Sequence, residues 1–215
     1  MKITILCSDK LHPVYPHLEK WASDNKKKHD IQLLQSVKSI AEEGDILFLV
    51  SCSELVNDEV RSKFHHSLVL HASDLPNGRG WSPHIWEILQ GSNTLTLSLL
   101  NAEDKVDSGD IWAQEKIHLS GTELYDEIND KLFAAEINLM DWACKNIMTA
   151  SPKAQSSHGG TYYRKRVPED SKLDEQASIA SQFDLLRVCD PKRFPAYVVI
   201  KDKKYKVILE KCDDE

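Results

Sequence analysis

The chain has no apolar run approaching the ~20 residues needed to span a bilayer, so no membrane partner is expected. It also lacks any Cys-x-x-Cys pair. Its five cysteines, Cys7, Cys52, Cys144, Cys189 and Cys212, are odd in number and scattered. That argues against a disulfide framework or a structural zinc, and for reduced thiols in the cytoplasm. Positive charge is in deficit as well. Twenty-seven Lys and Arg stand against 34 Asp and Glu, a formal net charge of -7. Binding to a nucleic-acid backbone rewards clustered Lys and Arg, so no nucleic-acid partner is expected. The opening Met1-Lys2-Ile3-Thr4-Ile5-Leu6 is too short for a secretory signal, carries no cleavage pattern, and reads as a first strand. There is no internal repeat and no low-complexity tract.

What remains is an ordinary globular composition, 41% hydrophobic and 28% charged over 215 residues. Short apolar, β-compatible runs at 3–6, 31–34, 46–50 and 68–70 alternate with helix-compatible segments at 12–26, 36–43 and 54–64. Alternation of this kind indicates an α/β fold: an open, Rossmann-like, mostly parallel sheet with helices on both faces. Leu95-Thr96-Leu97-Ser98-Leu99 alternates with period two, as a half-exposed or edge strand does. The run 111–119 is expected to pair near it. Ser120 and Glu123 fit a capping box. Leu124, Ile128, Leu132, Ala135, Leu139 and Trp142 then recur at spacings of four and three, an apolar stripe facing the sheet.

Composition shifts at Thr149. Residues 150–160 read as a linker, 173–188 as a helix, and 197–209 as a β-hairpin turning near Asp202-Lys203. The expected division is therefore a core over 1–150 and a helix-hairpin extension over 151–215. The apolar face of that hairpin is a candidate homodimer contact.

Two phrases carry the chemistry. In the first, His71 emerges at the end of the apolar run Ser67-Leu68-Val69-Leu70 and is followed by Ala72-Ser73-Asp74-Leu75-Pro76-Asn77-Gly78-Arg79-Gly80-Trp81-Ser82-Pro83. The second is Val106-Asp107-Ser108-Gly109-Asp110-Ile111. A histidine at a strand's C-terminal end sits where open α/β sheets place their ligand crevice. An Asp in a Gly-containing loop can reach back to it, favour imidazolium and fix the ring's orientation, making an acid/base and oxyanion-stabilising pair. From spacing alone, His71 could equally cap a strand and Asp107 merely start a turn. His65-His66 do not suggest metal, because neighbours on a strand point to opposite faces. The basic runs Lys26-Lys27-Lys28 and Arg164-Lys165-Arg166 read as solvated faces, though the second could meet a nucleotide phosphate.

Together, His-x-Ser-x-Leu-Pro followed by Arg-Gly-x-Ser-Pro, and then Asp-x-Gly-Asp, resemble the folate-dependent formyltransferases. Residues 162–174, with Pro168-Glu169-Asp170, are similar to that family's post-core phrase. The resemblance implies His71 and Asp107 as the catalytic pair and 10-formyl-tetrahydrofolate as the formyl donor. No metal is implied, because the donor is already activated. It also implies folate contacts, largely through backbone, at Glu54, Leu55 and Val56 and again at Ala102, Glu103, Asp104 and Val106. Methionyl-tRNA formyltransferases carry a further C-terminal barrel for tRNA, whereas the helix-hairpin tail here resembles the sugar N-formyltransferases. The expected acceptor is therefore the amine of a nucleotide-linked amino-sugar destined for a surface glycan. A purine-pathway formyltransferase and a catalytically silent folate or nucleotide-sugar binder are the alternatives.

Ser8, Lys10 and Arg79 are candidates for the acceptor's phosphates, or else ordinary loop residues. Trp81 either lines the acceptor pocket or packs under the loop. One departure stands out. The family has Asn two residues before the histidine, to hold the formyl oxygen, and here that position is Val69. Ser67, which shares Val69's strand face but lies further along it, Asn101 and a water are the candidate substitutes.

Overall fold

The structure is a computed structural model and describes residues 1–156 and 159–212. In chain order the main elements are β1 (Lys2–Leu6), α1 (Tyr15–Asn25), β2 (Asp30–Leu34), β3 (Gly44–Leu49), α2 (Asp58–Arg61), β4 (Phe64–His71), β5 (Arg79–Gly80), α3 (Pro83–Leu89), β6 (Thr94–Asn101), β7 (Ile111–His118), α4 (Tyr125–Asn146), β8 (Tyr162–Tyr163), α5 (Phe183–Arg187), β9 (Ala196–Ile200) and β10 (Lys203–Val207). The central sheet has six strands in the order β2-β1-β3-β4-β6-β7. β2, β1, β3 and β4 run parallel, while β6 is antiparallel to both β4 and β7. This is the mixed, mostly parallel α/β sheet that the strand runs foretold.

The two faces are covered unequally. One carries the main core, where Ile3, Ile5, Phe48, Leu68 and Leu97 meet α1, α3 and the stripe Ile128, Leu132, Ala135 and Leu139 of α4. The other is closed by a smaller cluster of Leu6, Ile40, Leu47, Leu49, Val56 and Phe64. Its covering is short: a 3-10 turn over Val37–Ser39 and the single turn of α2. The helix-compatible segments at 36–43 and 54–64 thus contribute far less helix than their composition suggests. Side chains intercept the backbone there. Ser36 Oγ accepts from Lys38 N at 3.3 Å, and Asn57 Oδ1 caps α2 by accepting from Val60 N at 3.1 Å. The thinly covered face is left open to loops.

Three other expectations are corrected. β6 is no edge strand. It lies between β4 and β7, with Thr96 and Ser98 buried. Ser98 mimics a solvent-facing position because its hydroxyl is satisfied internally, donating to Ser73 O at 2.7 Å. The capping box is displaced. Glu123 accepts from Ser120 N at 2.8 Å, but Gly121, at φ 95°, turns the chain away, and Leu124 occupies the N-cap with Glu127 accepting from its N–H at 2.8 Å. The helix expected over 173–188 shrinks to a 3-10 turn at Ala180–Gln182 and α5. Upstream, Asp174, Ser178 and Gln182 hydrogen-bond local backbone, which offers that segment an alternative to helix.

The hairpin forms as expected, β9 against β10, and turns through Lys201 and Asp202 at φ 49° and 60°. It builds a third small cluster with Leu173, Leu186, Cys189 and Ala196. This C-terminal part is tied to the sheet. Lys153 bridges to Ile111, β8 pairs in parallel with β5, and Arg193 donates to Asp9 at 2.7 Å. Of the linker 150–160, Ser157 and His158 lie outside the described residues. No helix among the described residues is long and apolar enough to cross a membrane.

One core residue makes stability depend on pH. Glu136 of α4 is buried, its Oε2 has no hydrogen-bond partner among the described residues, and burial raises its pKa from 4.5 to about 8. The folded state therefore keeps a proton that the unfolded chain releases near 4.5, so this group's contribution to stability falls as pH rises from about 4.5 to about 8. Glu136→Gln is expected to gain stability relative to the wild type across that window and to hold a constant advantage above it. Urea titrations at several pH values measure the difference, and one that does not change with pH contradicts this account.

Candidate active site

His71 ends β4. Alternation along the strand puts Ser67, Val69 and His71 on the thinly covered face, while Leu68 and Leu70 enter the main core. The His71 Nδ1 lies 3.4 Å from Asp107 Oδ1, with the two side chains only 9% and 5% exposed. Its Nε2 lies 2.8 Å from the Gly78 carbonyl. A carbonyl and a carboxylate both accept, so a ring bearing both protons satisfies both contacts. On α3, burial is the main cause that pushes His84 down to about 4, with electrostatic interactions with His71 and His12 adding to it. Nearby, burial and then Asp74 push Glu87 up to about 7.

Asp107 does more than meet the histidine. It adopts a left-handed φ of 56°, and its Oδ2 accepts from Gly80 N at 2.8 Å. One carboxylate thus joins the end of β4 to the Arg-Gly turn that follows it. Two of the three glycines of the phrases are required by the closest approaches. A Cβ on Gly109 would sit 2.0 Å from Asn101 O, and one on Gly80 would sit 2.3 Å from Tyr163 O.

Gln155 escaped notice in the sequence. Its Nε2 donates to Asp107 O at 2.9 Å and to Gly109 O at 2.8 Å, and its Oε1 accepts from Arg79 Nη2 at 2.9 Å. Thr161 was missed as well, and its Oγ1 accepts from Gly78 N at 2.8 Å. Both lie in a polar linker, and nothing in their local sequence marks them.

The two segments expected to meet folate come together on the histidine's face. Arg61 was also unremarked in the sequence, and it links them: Nη1 donates to Val56 O at 2.7 Å and Nη2 to Asp104 Oδ1 at 2.5 Å. Ala102 packs on the same small cluster as Val56 and Val69, and its N–H bonds Ser67 O at 2.8 Å. Leu55 and Val106 are exposed, presenting apolar side chains on the two loops, and Glu103 is exposed between them. Glu54 turns the other way, its carboxylate accepting from Val37 N at 2.9 Å and from Ser36 at 3.2 Å.

The acceptor candidates are not gathered in this way. Ser8 braces the loop after β3, with its Oγ accepting from Ser53 N at 2.8 Å. Arg79 is turned inward onto Gln155 and onto Asp107 O, the latter at 3.2 Å. Lys10 is exposed and has no ion pair among the described residues. Trp81 is 40% exposed, its backbone N–H donates to Tyr163 O at 3.0 Å, and the Lys165 ammonium lies 4.6 Å from its ring centre.

Asn101 does not stand in for the missing asparagine. It pairs with Leu68 across the sheet, so its side chain lies on the opposite face from His71, and its Oδ1 accepts from Trp112 Nε1 at 2.7 Å. Val69 sits between Leu49 and Leu100. The amide that shares His71's face is Gln114. It lies across from Ser98, which in turn lies across from His71, and its Nε2 donates to Ser98 Oγ at 2.9 Å and Asp74 Oδ1 at 3.1 Å. His65 and His66 diverge as expected, one beside Asp45 and the other edge-on to Trp112, and no cluster of three metal-ligating side chains occurs among the described residues.

Residues 6–143 match the family described as formyl transferase. The chain belongs to this family. The matched span holds His71, Asp107 and both Arg61-linked loops, while Gln155, Thr161 and Lys165 lie beyond it. A methionyl-tRNA formyltransferase of Rickettsia bellii is 27% identical over 175 residues, covering 80% of this chain and 57% of its own length. The chain thus spans little more than half of that relative. Among solved structures, a sugar N-formyltransferase from a Shewanella species superposes with a TM-score of 0.75 at 16% identity, covering 100% of this chain and 99% of that one. HypX from Aquifex aeolicus in complex with tetrahydrofolic acid superposes with a TM-score of 0.80 at 18% identity, covering 97% of this chain and 37% of that one. At these identities the structures establish a shared fold.

Gln155 seats the Asp107 loop through its two contacts to backbone carbonyls. Gln155→Ala is expected to lower kcat by about tenfold, the scale of losing hydrogen bonds that position a catalytic group. Asn101→Ala should leave kcat near that of the wild type, since its side chain faces away from His71. Steady-state kinetics with a shared acceptor decide both, and the reverse ranking would contradict the assignment.

Proposed function

We propose that the protein transfers a formyl group from 10-formyl-tetrahydrofolate to the amine of a nucleotide-linked amino-sugar in the cytoplasm. The observation that carries this is the single carboxylate of Asp107 holding His71 and the Gly80 turn beside two loops joined by Arg61. Those loops suit a folate. They offer backbone groups for a heteroaromatic ring that is rich in donors and acceptors, with exposed Leu55 and Val106 for its apolar parts.

The donor supplies an activated formyl carbon. The neutral acceptor amine forms a bond to that carbon, the carbon's bond to the folate nitrogen breaks, and the proton leaving the amine ends on the folate nitrogen. Charge that develops on the formyl oxygen is met by His71. For that, its Nε2–H exchanges the Gly78 carbonyl for the formyl oxygen while Asp107 keeps Nδ1 and holds the positive charge in place. The 3.4 Å separation of Nδ1 from Asp107 is ordinary for a site without substrate, because such bonds shorten when the reacting group arrives.

Support for a sugar acceptor over tRNA comes from charge and from the C-terminal part. The formal net charge is -7. Residues 161–212 form short helices and a hairpin against the core. The relatives named for methionyl-tRNA keep that acceptor as the rival reading. The apolar Val69 at the family's asparagine position keeps a folate-binding protein without turnover as another. Exposed Ile200 and Tyr205 on the hairpin favour self-association as a homodimer.

His71→Ala and Asp107→Asn are each expected to cut turnover by at least about a hundredfold, with folate binding much less affected. Amino-sugar nucleotides of the UDP, dTDP and CMP series, offered together with 10-formyl-tetrahydrofolate, should include an acceptor, and charged initiator tRNA should not be formylated. Efficient transfer to methionyl-tRNA with every sugar nucleotide inert would overturn the acceptor class. A wild type that binds folate but turns over nothing would favour the silent reading.

A further inference from the structure

We infer that Trp81, Tyr162 and Lys165 form the subsite for the nucleoside diphosphate part of the acceptor, with the base stacking on the aromatic rings and the phosphates meeting the lysine. This rests on the acceptor being nucleotide-linked. Of the three residues to which sequence gave the anion-binding role, the fold turns Ser8 and Arg79 to internal bracing and leaves Lys10 exposed.

The first observation is the state of the three consecutive cations at 164–166. Arg164 is neutralised by a two-pronged pair with Asp170, at 2.6 and 2.5 Å, and lies on the Trp86 ring, 5.0 Å from its centre. Arg166 donates to Asp170 O at 2.9 Å and to Ser171 Oγ at 3.2 Å. Lys165 alone is exposed without a carboxylate partner among the described residues. In an acidic chain, an uncompensated ammonium held over an aromatic ring is a specific place for an anion with a planar group attached.

The second observation is where this lysine sits. β5 and β8 pair in parallel, setting Arg79 opposite Tyr162 and Gly80 opposite Tyr163. Gly80 N is the group bonded to Asp107 Oδ2, so Trp81 is one residue from the catalytic loop. Trp81 and Tyr162 are large aromatics left 40% and 67% exposed on this ribbon, while Tyr163 is committed to stacking on Trp86 at 6.0 Å. Two exposed rings and one cation without a carboxylate partner among the described residues therefore adjoin the reacting centre on a segment anchored to it by hydrogen bonds. Bases stack on exposed aromatics with little regard to identity, and the neighbouring cation makes binding depend on phosphate.

Isothermal calorimetry on the full chain, with UDP, dTDP and inorganic pyrophosphate as probes, tests this. At least one nucleoside diphosphate should bind. Lys165→Glu should weaken both that nucleotide and pyrophosphate by about tenfold or more, as loss of a charge-assisted contact does. Trp81→Leu should weaken the nucleotide by about tenfold and leave pyrophosphate unchanged, as loss of a stacking ring does. Near-wild-type affinity for tetrahydrofolate in each variant shows that the fold and the donor site survive. If the wild type binds a nucleoside diphosphate and both variants bind it equally well, the subsite is wrong and the acceptor class stands. If the wild type binds neither nucleoside diphosphate, the subsite fails together with the UDP- and dTDP-linked acceptors.

Discussion

The Asp107 carboxylate is the contact from which the rest of the site is hung. One oxygen faces His71 and the other takes the Gly80 amide. That single group joins the end of β4, the turn after it and the loop between β6 and β7. Removing it would leave the half-buried Gly80 amide and the buried Nδ1 side of His71 without their acceptor, which costs more than a surface contact would. The glycines follow from the same constraint. The loop can bring Asp107 inward only if residue 109 lies against the Asn101 carbonyl, and the ribbon with β8 closes only if residue 80 has no side chain.

Electrostatics then follow from packing. With acceptors against both of its nitrogens, His71 is held in a place from which solvent is largely excluded, where electrostatic interactions act more strongly than in water. The neighbouring His84, driven towards the neutral form, avoids setting a second charge beside it. The apolar Val69 makes His71 the main electrostatic resource on that part of the strand. An amide sharing its face, Gln114, is occupied with bracing Ser98 and Asp74.

Much of the fold was legible because apolar runs of the right length need little context. Four parallel strands, the long α4 and the terminal hairpin appear where periodicity and turn residues put them. The misses share one cause. Ser98 read as solvent-facing because a hydroxyl in an alternating strand usually is, yet a carbonyl twenty-five residues away satisfies it. The helix expected at 173–188 lost most of its length to Asp, Ser and Gln side chains that bond nearby backbone. Ser8 and Arg79 have the chemistry to hold phosphate, but their polar atoms find partners inside the protein before any ligand arrives. Gln155, Thr161 and Arg61 carry no local signal at all, because each acts through partners distant in sequence or through groups on two separate loops.

By itself the sequence determined the α/β architecture, the pairing of His71 with Asp107 and the two loops beside them. Hydrophobic period, strand ends and glycine-bearing turns are local properties, and two long phrases in the right order name a family. Only the tertiary structure decided which polar residues remain free. That depends on the hydrogen-bond partners that distant segments bring, and so it left Lys165, Trp81 and Tyr162 facing outward while Ser8, Arg79 and Asn101 were engaged elsewhere.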